Sequence, residues 1–258
     1  MTKTDIGGLI RLSDIAAAFG LLTRLPIPVD GAAAAKRGGA AAWAYPLVGA
    51  VTSGLAVLVG FGALALGLPA TIAALLIIAT QIILTGAMHE DGLADCADGF
   101  WGGWTPARRL EIMKDSQIGT YGVLALVLAL SLRWMALSAL LAASGFGATL
   151  IVAGLLSGAA MISVMAAMGN ARATGLSRSV GQPSLTTASL GGGLALLAGL
   201  LLLGASIAIY GGIVIGLAVI CAAIAKNKIG GQTGDVLGAT QQITEIGVLL
   251  TALALQAA

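Results

Sequence analysis

Two long tracts of this chain carry no charge. From Gly38 to Met88, and again from Ser179 to Ala225, there is no Asp, Glu, Lys or Arg. A helix needs about 20 apolar residues to cross a hydrocarbon layer of about 30 Å, so each tract is long enough for two crossings. Over the whole chain 58% of residues are hydrophobic and 9% charged, where a soluble domain carries roughly 25% charged residues. The mean hydropathy is +1.00. These values describe an integral membrane protein. The 38 glycines fit helices that pack closely through small residues in lipid.

Apolar runs read against loop breakers predict spans near 43–66, 70–88, 119–142, 147–168, 189–209, 211–226 and 236–256. The fold class is therefore all-α, a polytopic helical bundle of about seven transmembrane helices, forming a single membrane domain over 1–258. An amphipathic N-terminal segment, Ile6 to Leu22, is interrupted by Arg11 and Asp14 and reads as an interfacial or re-entrant helix. The connections "GLPA" near 67, "ASGF" near 143 and "YGG" near 210 are short and uncharged. All the others hold charge, and twelve of the thirteen basic residues fall in them on one side; only Arg133 lies inside a span. The positive-inside rule makes that side cytoplasmic. Cys96 and Cys221 are far apart and show no metal or disulfide spacing. No basic patch with interleaved aromatics exists, so a nucleic-acid partner is not expected.

The stretch "HEDGLADCADGFWGG" sets four carboxylates within nine residues. Asp91, Asp95 and Asp98 are spaced i, i+4, i+7 and so fall on one helical face. Carboxylates on one stripe repel each other unless a cation sits among them, and oxygen-only ligands suit magnesium. A solvated loop face is the plainer alternative, but like charges at i, i+4 destabilise an exposed helix. His89 leaves the opposite side and is open to base catalysis, capping or an interfacial hydrogen bond. Thr105 and Pro106 make a helix start. The helix that follows sets Arg108 and Asp115 on one face, either to grip phosphate and metal or to pair with each other.

Further along, "KNKIGGQTGDVLGAT" joins Lys226 and Lys228 to Gly230, Gly231 and Gly234. Glycine-rich backbone entering a helix N-terminus is a ready anion site, and Asp235 there reads equally as a helix cap. Gln242 and Glu245 continue roughly the same stripe into the last span, where ionisable groups are expensive. Arg133 either snorkels beside Trp134 or reaches an anionic substrate.

Six stretches, "TRLPIP", "YPLVGAV", "HEDGLADCADGF", "RRLEIMKDSQIGTYG", "ARATGLS" and "GGQTGDVLGAT", run from 23 to 240 and together resemble the cobalamin synthase family, the adenosylcobinamide-GDP ribazoletransferases. Glu90 departs from the family's more usual leucine and receives no role. "GNARATGLSRS" is looser than the family form, at the position of Arg172.

The resemblance implies transfer of the adenosylcobinamide phosphate group from its GDP-activated form to α-ribazole or its 5'-phosphate, with release of GMP. It implies Mg2+ held by Asp91, Asp95 and Asp98, with catalytic carboxylates among Asp91, Asp115 and Asp235. Substrate contacts would come from Arg108, Lys114, Arg133, Arg172, Lys228 and the loop Gly230, Gly231, Thr233 and Gly234. The implied setting is the bacterial cytoplasmic membrane with the active site facing the cytoplasm. Other cobalamin assembly enzymes and a second copy of the chain are the expected protein partners. Two rival readings are a CDP-alcohol-type phosphotransferase, whose longer pattern with its arginine is missing, and a secondary transporter, whose repeated halves are missing.

Overall fold

The computed structural model describes residues 6–142 and 146–256. Two short helices come first, α1 (Ile6–Leu9) and α2 (Leu12–Leu22), followed by α3 (Gly31–Arg37) and a 3-10 turn, Gly38–Ala44. Then come α4 (Tyr45–Ala65), α5 (Ala70–Thr85), α6 (Met88–Gly102), α7 (Pro106–Ile112), α8 (Thr120–Leu141) and α9 (Phe146–Ala167). The chain closes with α10 (Leu176–Val180), α11 (Leu185–Leu203), α12 (Ile207–Ile229) and α13 (Gly234–Gln256). Among the described residues there are no β-strands, only one isolated bridge between Asn170 and Gln232. Helix starts follow local chemistry. The Asp30 carboxylate accepts from the amides of Ala32 and Ala33 at 3.0 Å, Thr105 accepts from Arg108 N–H at 3.3 Å, and Ser184 from Thr187 N–H at 3.1 Å. Each satisfies a first-turn donor that the helix leaves orphaned.

Five helical stretches are long and apolar enough to cross a membrane, and a sixth is the pair α5 and α6, bent by 88°. One of the five, Leu185–Ile229, folds back on itself. Ile207 lies over Gly199, and a methyl placed on Gly211 would sit 3.4 Å from Leu196, so α11 and α12 are antiparallel arms. Counting both gives seven passes: α4, α5, α8, α9, α11, α12 and α13. They correspond roughly to the seven spans expected from sequence, with the end of α5 moved back from 88 to Thr85 and the α11–α12 turn also displaced. The α11–α12 turn is at Gly204, whose φ of +60° a side chain would oppose, rather than at "YGG" near 210. Tyr210 and Gly211 are instead buried inside α12. Most of the "ASGF" connection lies outside the described residues. The N-terminal segment forms α1 and α2 rather than one continuous helix. Asp14 on α2 is fully buried, taking hydrogen bonds from Arg37 and from the Trp43 indole.

At the centre stands α9, buried along most of its length, with α4, α11, α12 and α13 around it. Its closest neighbour is α4. Gly49 and Gly154 face each other so tightly that a Cβ on either would run into the other's backbone, and Gly158 meets Tyr45 and Pro46 in the same way. Small residues let the backbones approach where lipid supplies no hydrophobic force between helices. The outer faces of α8, α11 and α12 expose Leu124, Leu128, Leu201, Ile215 and Val219, the apolar surface a bilayer requires.

Candidate active site

Gly86 and Ala87 both adopt the left-handed conformation and turn the chain out of α5 into α6. The acidic helix α6 leaves α5 at 88° and packs across α8 and α13. Gly92 makes this approach possible, since a Cβ there would stand 2.8 Å from the Asp235 carbonyl oxygen. Asp91 on α6 and Asp235 at the start of α13 thus come to one cavity of about 220 Å3, whose other wall holds Asn170, Arg172, Thr174 and Arg178.

The loop carrying Arg172 is stitched to the loop before α13. Ala171 N–H donates to the Gln232 carbonyl at 2.8 Å and Gln232 N–H to Gly169 at 2.9 Å. The fully buried Gln232 side chain donates to Asn170 Oδ1 at 3.0 Å and accepts from the Ser177 hydroxyl at 2.8 Å. Gly231 is required here because a Cβ on it would run into the backbone of 169–171. The result brings Arg172 Nη1 to 3.0 Å from Asp235 Oδ2, while Nη2 donates to the Leu110 carbonyl at 3.3 Å.

Partial burial, then the Asp235 and Asp91 carboxylates, push the Asp95 carboxyl up to about 7. The wall made by Asp91, Asp95 and Asp235 is therefore short of positive charge, with Arg172 beside it. Among the described residues no set of three or more carboxylate, imidazole or thiol groups is gathered as a metal site. A magnesium ion commonly takes only one or two carboxylates, the rest being water and substrate phosphate. Asp91 and Asp235, the two carboxylates that line the cavity, fit that pattern.

Asp98 is the member of the three-aspartate stripe that departs. Its Oδ2 accepts from Gly119 N–H at 2.7 Å and its Oδ1 from Gly122 N–H at 2.9 Å, so both oxygens fasten the start of α8. Arg108 and Asp115 do not converge: exposed Arg108 pairs with Glu111 at 2.8 Å, and Asp115 accepts from Gln117 N–H at 3.0 Å. Lys114 is exposed on the same short element and does not line the cavity. The Lys228 ammonium lies 5.2 Å from the Trp101 ring centre. Gly230 ends α12 in a left-handed conformation, its amide bonded to Lys226. The glycine loop thus spends the amides of Gly230 and Gln232 on the chain itself, while Thr233 and Gly234 reach the cavity. Thr233, not Asp235, caps α13, accepting from Val236 N–H at 3.3 Å.

Arg133 sits elsewhere. It is 1% exposed, and carboxylates of the bundle neutralise it, Glu90 at 2.9 Å and Glu245 at 3.0 Å. Gln81 and Gln242 also accept from it, at 2.9 and 3.1 Å. Its charge is enclosed among these groups. Glu90, given no role from sequence, is its partner, and His89 lines the same small polar void of about 30 Å3. Sequence reasoning also missed Asn170, Thr174 and Arg178 on the cavity wall. Asn170 and Thr174 stand in an irregular loop and Arg178 in the five-residue helix α10, too short for a period to reveal which side chains share a face.

A family model described as cobalamin-5-phosphate synthase matches residues 14–253, nearly the whole length of the chain. The chain belongs to the cobalamin-5-phosphate synthase family. Proteins named adenosylcobinamide-GDP ribazoletransferase are similar to it end to end. The one from Azorhizobium caulinodans is 45% identical, covering 94% of this chain and 96% of its own. That from Bradyrhizobium diazoefficiens is 42% identical over 95% of each, and that from Mesorhizobium japonicum 42% over 93% of each. No solved structure matches. Within this cobalamin-5-phosphate synthase fold the cavity joins the acidic stretch, the "ARATGLS" loop and "GGQTGD", three of the six motifs that carried the resemblance.

Proposed function

We propose that this protein transfers the adenosylcobinamide phosphate group from adenosylcobinamide-GDP to α-ribazole or its 5'-phosphate, releasing GMP and forming adenosylcobalamin or its 5'-phosphate. The observation that carries the reading is the meeting of Asp91, Arg172 and Asp235 in one cavity of a chain 45% identical to a ribazoletransferase. A ribose hydroxyl attacks the phosphorus attached to the corrinoid. The bond from that phosphorus to the oxygen of the guanosine phosphate breaks, and GMP carries that oxygen away. Two tasks fall to the protein, positioning and charge neutralisation.

Arg172 and Arg178 supply cationic donors for phosphate oxygens, and Arg172 offers a planar fork suited to bidentate contact. Asp91 and Asp235 are the carboxylates that line the cavity, and one of them takes the proton of the attacking hydroxyl. Asp115 drops out, since it does not line the cavity. Asp91 and Asp235 would hold Mg2+, which would supply Lewis-acid stabilisation of phosphate charge.

The purified chain in detergent, given the donor, should release GMP only when α-ribazole or its phosphate is added, and EDTA should stop it. Turnover of a CDP-linked donor with none of the corrinoid substrate would instead support the phosphotransferase reading. The site faces the cytoplasm in this proposal. In a background lacking Cys96 and Cys221, an impermeant thiol reagent outside intact cells should label a cysteine at Leu66, in the α4–α5 turn, and spare one at Ser116. Labelling of Ser116→Cys would reverse the orientation.

A further inference from the structure

We infer that Arg172 is an internal counter-ion of the acidic wall: it neutralises Asp235 until substrate arrives, opposes a divalent cation there, and moves to the donor's pyrophosphate when that cation binds. The inference rests on the pyrophosphate-cleaving reading of the same cavity.

Arg172 is short of acceptors. A guanidinium carries five N–H donors. Here Nη1 pairs with Asp235 at 3.0 Å and Nη2 reaches only the Leu110 carbonyl at 3.3 Å. Nε is buried with no hydrogen-bond partner, a costly state for a charged donor. The group is therefore held in place by one good ion pair and is short of an acceptor. A phosphate or pyrophosphate supplies two or three oxygens in the geometry the fork prefers.

Its partner is also in conflict. Asp235 lines the same cavity as Asp91, and Arg172, 3.0 Å away, is the cation paired with it. A divalent ion at these carboxylates and the guanidinium compete for the same negative charge, so each weakens the other while no substrate is present. An anionic diphosphate changes the sign, because Arg172 then has somewhere better to go. Hydrogen bonds among Gln232, Asn170 and Ser177 hold the two backbones in place, so the exchange needs only a side-chain rotation.

Direct binding tests this without turnover. Mn2+ is titrated into the purified full chain in detergent, with free Mn2+ read by its EPR signal. GDP binding is measured separately in EDTA. Loss of one unit charge a few ångströms away should make Arg172→Gln bind Mn2+ about tenfold tighter than wild type, and bind GDP several-fold more weakly. Arg172→Lys keeps the charge and loses the fork, so its Mn2+ affinity should stay near wild type while GDP weakens. Unchanged or weaker Mn2+ binding by a folded Arg172→Gln overturns the inference. If that variant does not fold, Arg172→Lys decides, and wild-type GDP affinity in it overturns the inference. Failure of wild type to release GMP would fall on the functional reading alone, since neither titration needs catalysis.

Discussion

Asp91, Asp95 and Asp98 share one face of α6, yet what stands opposite each side chain differs, and so should the effect of neutralising it. Asp98 holds two amides at the first turn of α8, a charge-assisted cap. Asp98→Ala should lower stability by about 1–3 kcal/mol, seen as a drop in melting temperature in detergent. Asp91 is exposed in the cavity, so Asp91→Asn should melt like wild type and lose most turnover. Equal melting points for the two variants would contradict this division.

Asp95, pushed up to about 7, holds a proton in the folded protein at pH values where an unfolded aspartate has lost it. Between the ordinary aspartate range and about 7 the native state binds more protons than the unfolded one, so Asp95's contribution to stability declines as pH rises through that window. Cation binding follows the opposite course. Mn2+ affinity should increase from pH 6 to pH 8 as the carboxyl ionises, and Asp95→Asn should flatten that rise. A wild-type affinity independent of pH would remove Asp95 from the cation-binding wall.

At the scale of elements, the glycine contact between α4 and α9 sets how close α4 lies to the bundle's central helix. Gly154→Ala places a methyl against the Gly49 backbone and the Ser53 hydroxyl. The Ser53 hydroxyl can rotate, but the Gly49 backbone cannot give way without moving a helix. Overpacking of this kind costs roughly 1–3 kcal/mol, and thermal unfolding in detergent should show it. Gly192→Ala, where a methyl meets open space, is the control and should leave the melting point unchanged. The break between α5 and α6 belongs to the same scale. A span read through residue 88 stops at Thr85, because two left-handed residues redirect the chain. A straight helix would have carried the carboxylates away from α13.

Across the whole molecule, the enclosed charges around Arg133 join elements far apart in sequence. Gln81 comes from α5, Glu90 from α6, Arg133 from α8, and Gln241, Gln242 and Glu245 from α13. Ser157 of α9 bonds Gln241 at 3.3 Å. Buried ion groups of this kind lock geometry, and removing one partner leaves the others uncompensated. Arg133→Met should cost about 3–5 kcal/mol, whereas Arg133→Met combined with Glu90→Gln and Glu245→Gln should recover much of that loss. A single variant as stable as wild type would show that the network holds nothing.

The seven passes were legible in the sequence because a span needs only a sufficient run of apolar residues, and the charge-free tracts supply them in one dimension. The displaced α11–α12 turn, at Gly204 rather than near 210, lay within a tract apolar throughout, where hydropathy marks no boundary and only backbone conformation does. The acidic stretch announced itself through charge, and Asp91, Arg172 and Asp235 belonged to motifs visible in the chain. Their grouping did not. Helical period placed Asp91, Asp95 and Asp98 on one face, but a face has no partners until other helices pack on it. Packing gave Asp98 to α8, Glu90 to Arg133, and Asp91 to a cavity completed by an irregular loop. Burial, charge pairing and the meeting of remote segments are properties of distance in space, and the tertiary structure alone decided them.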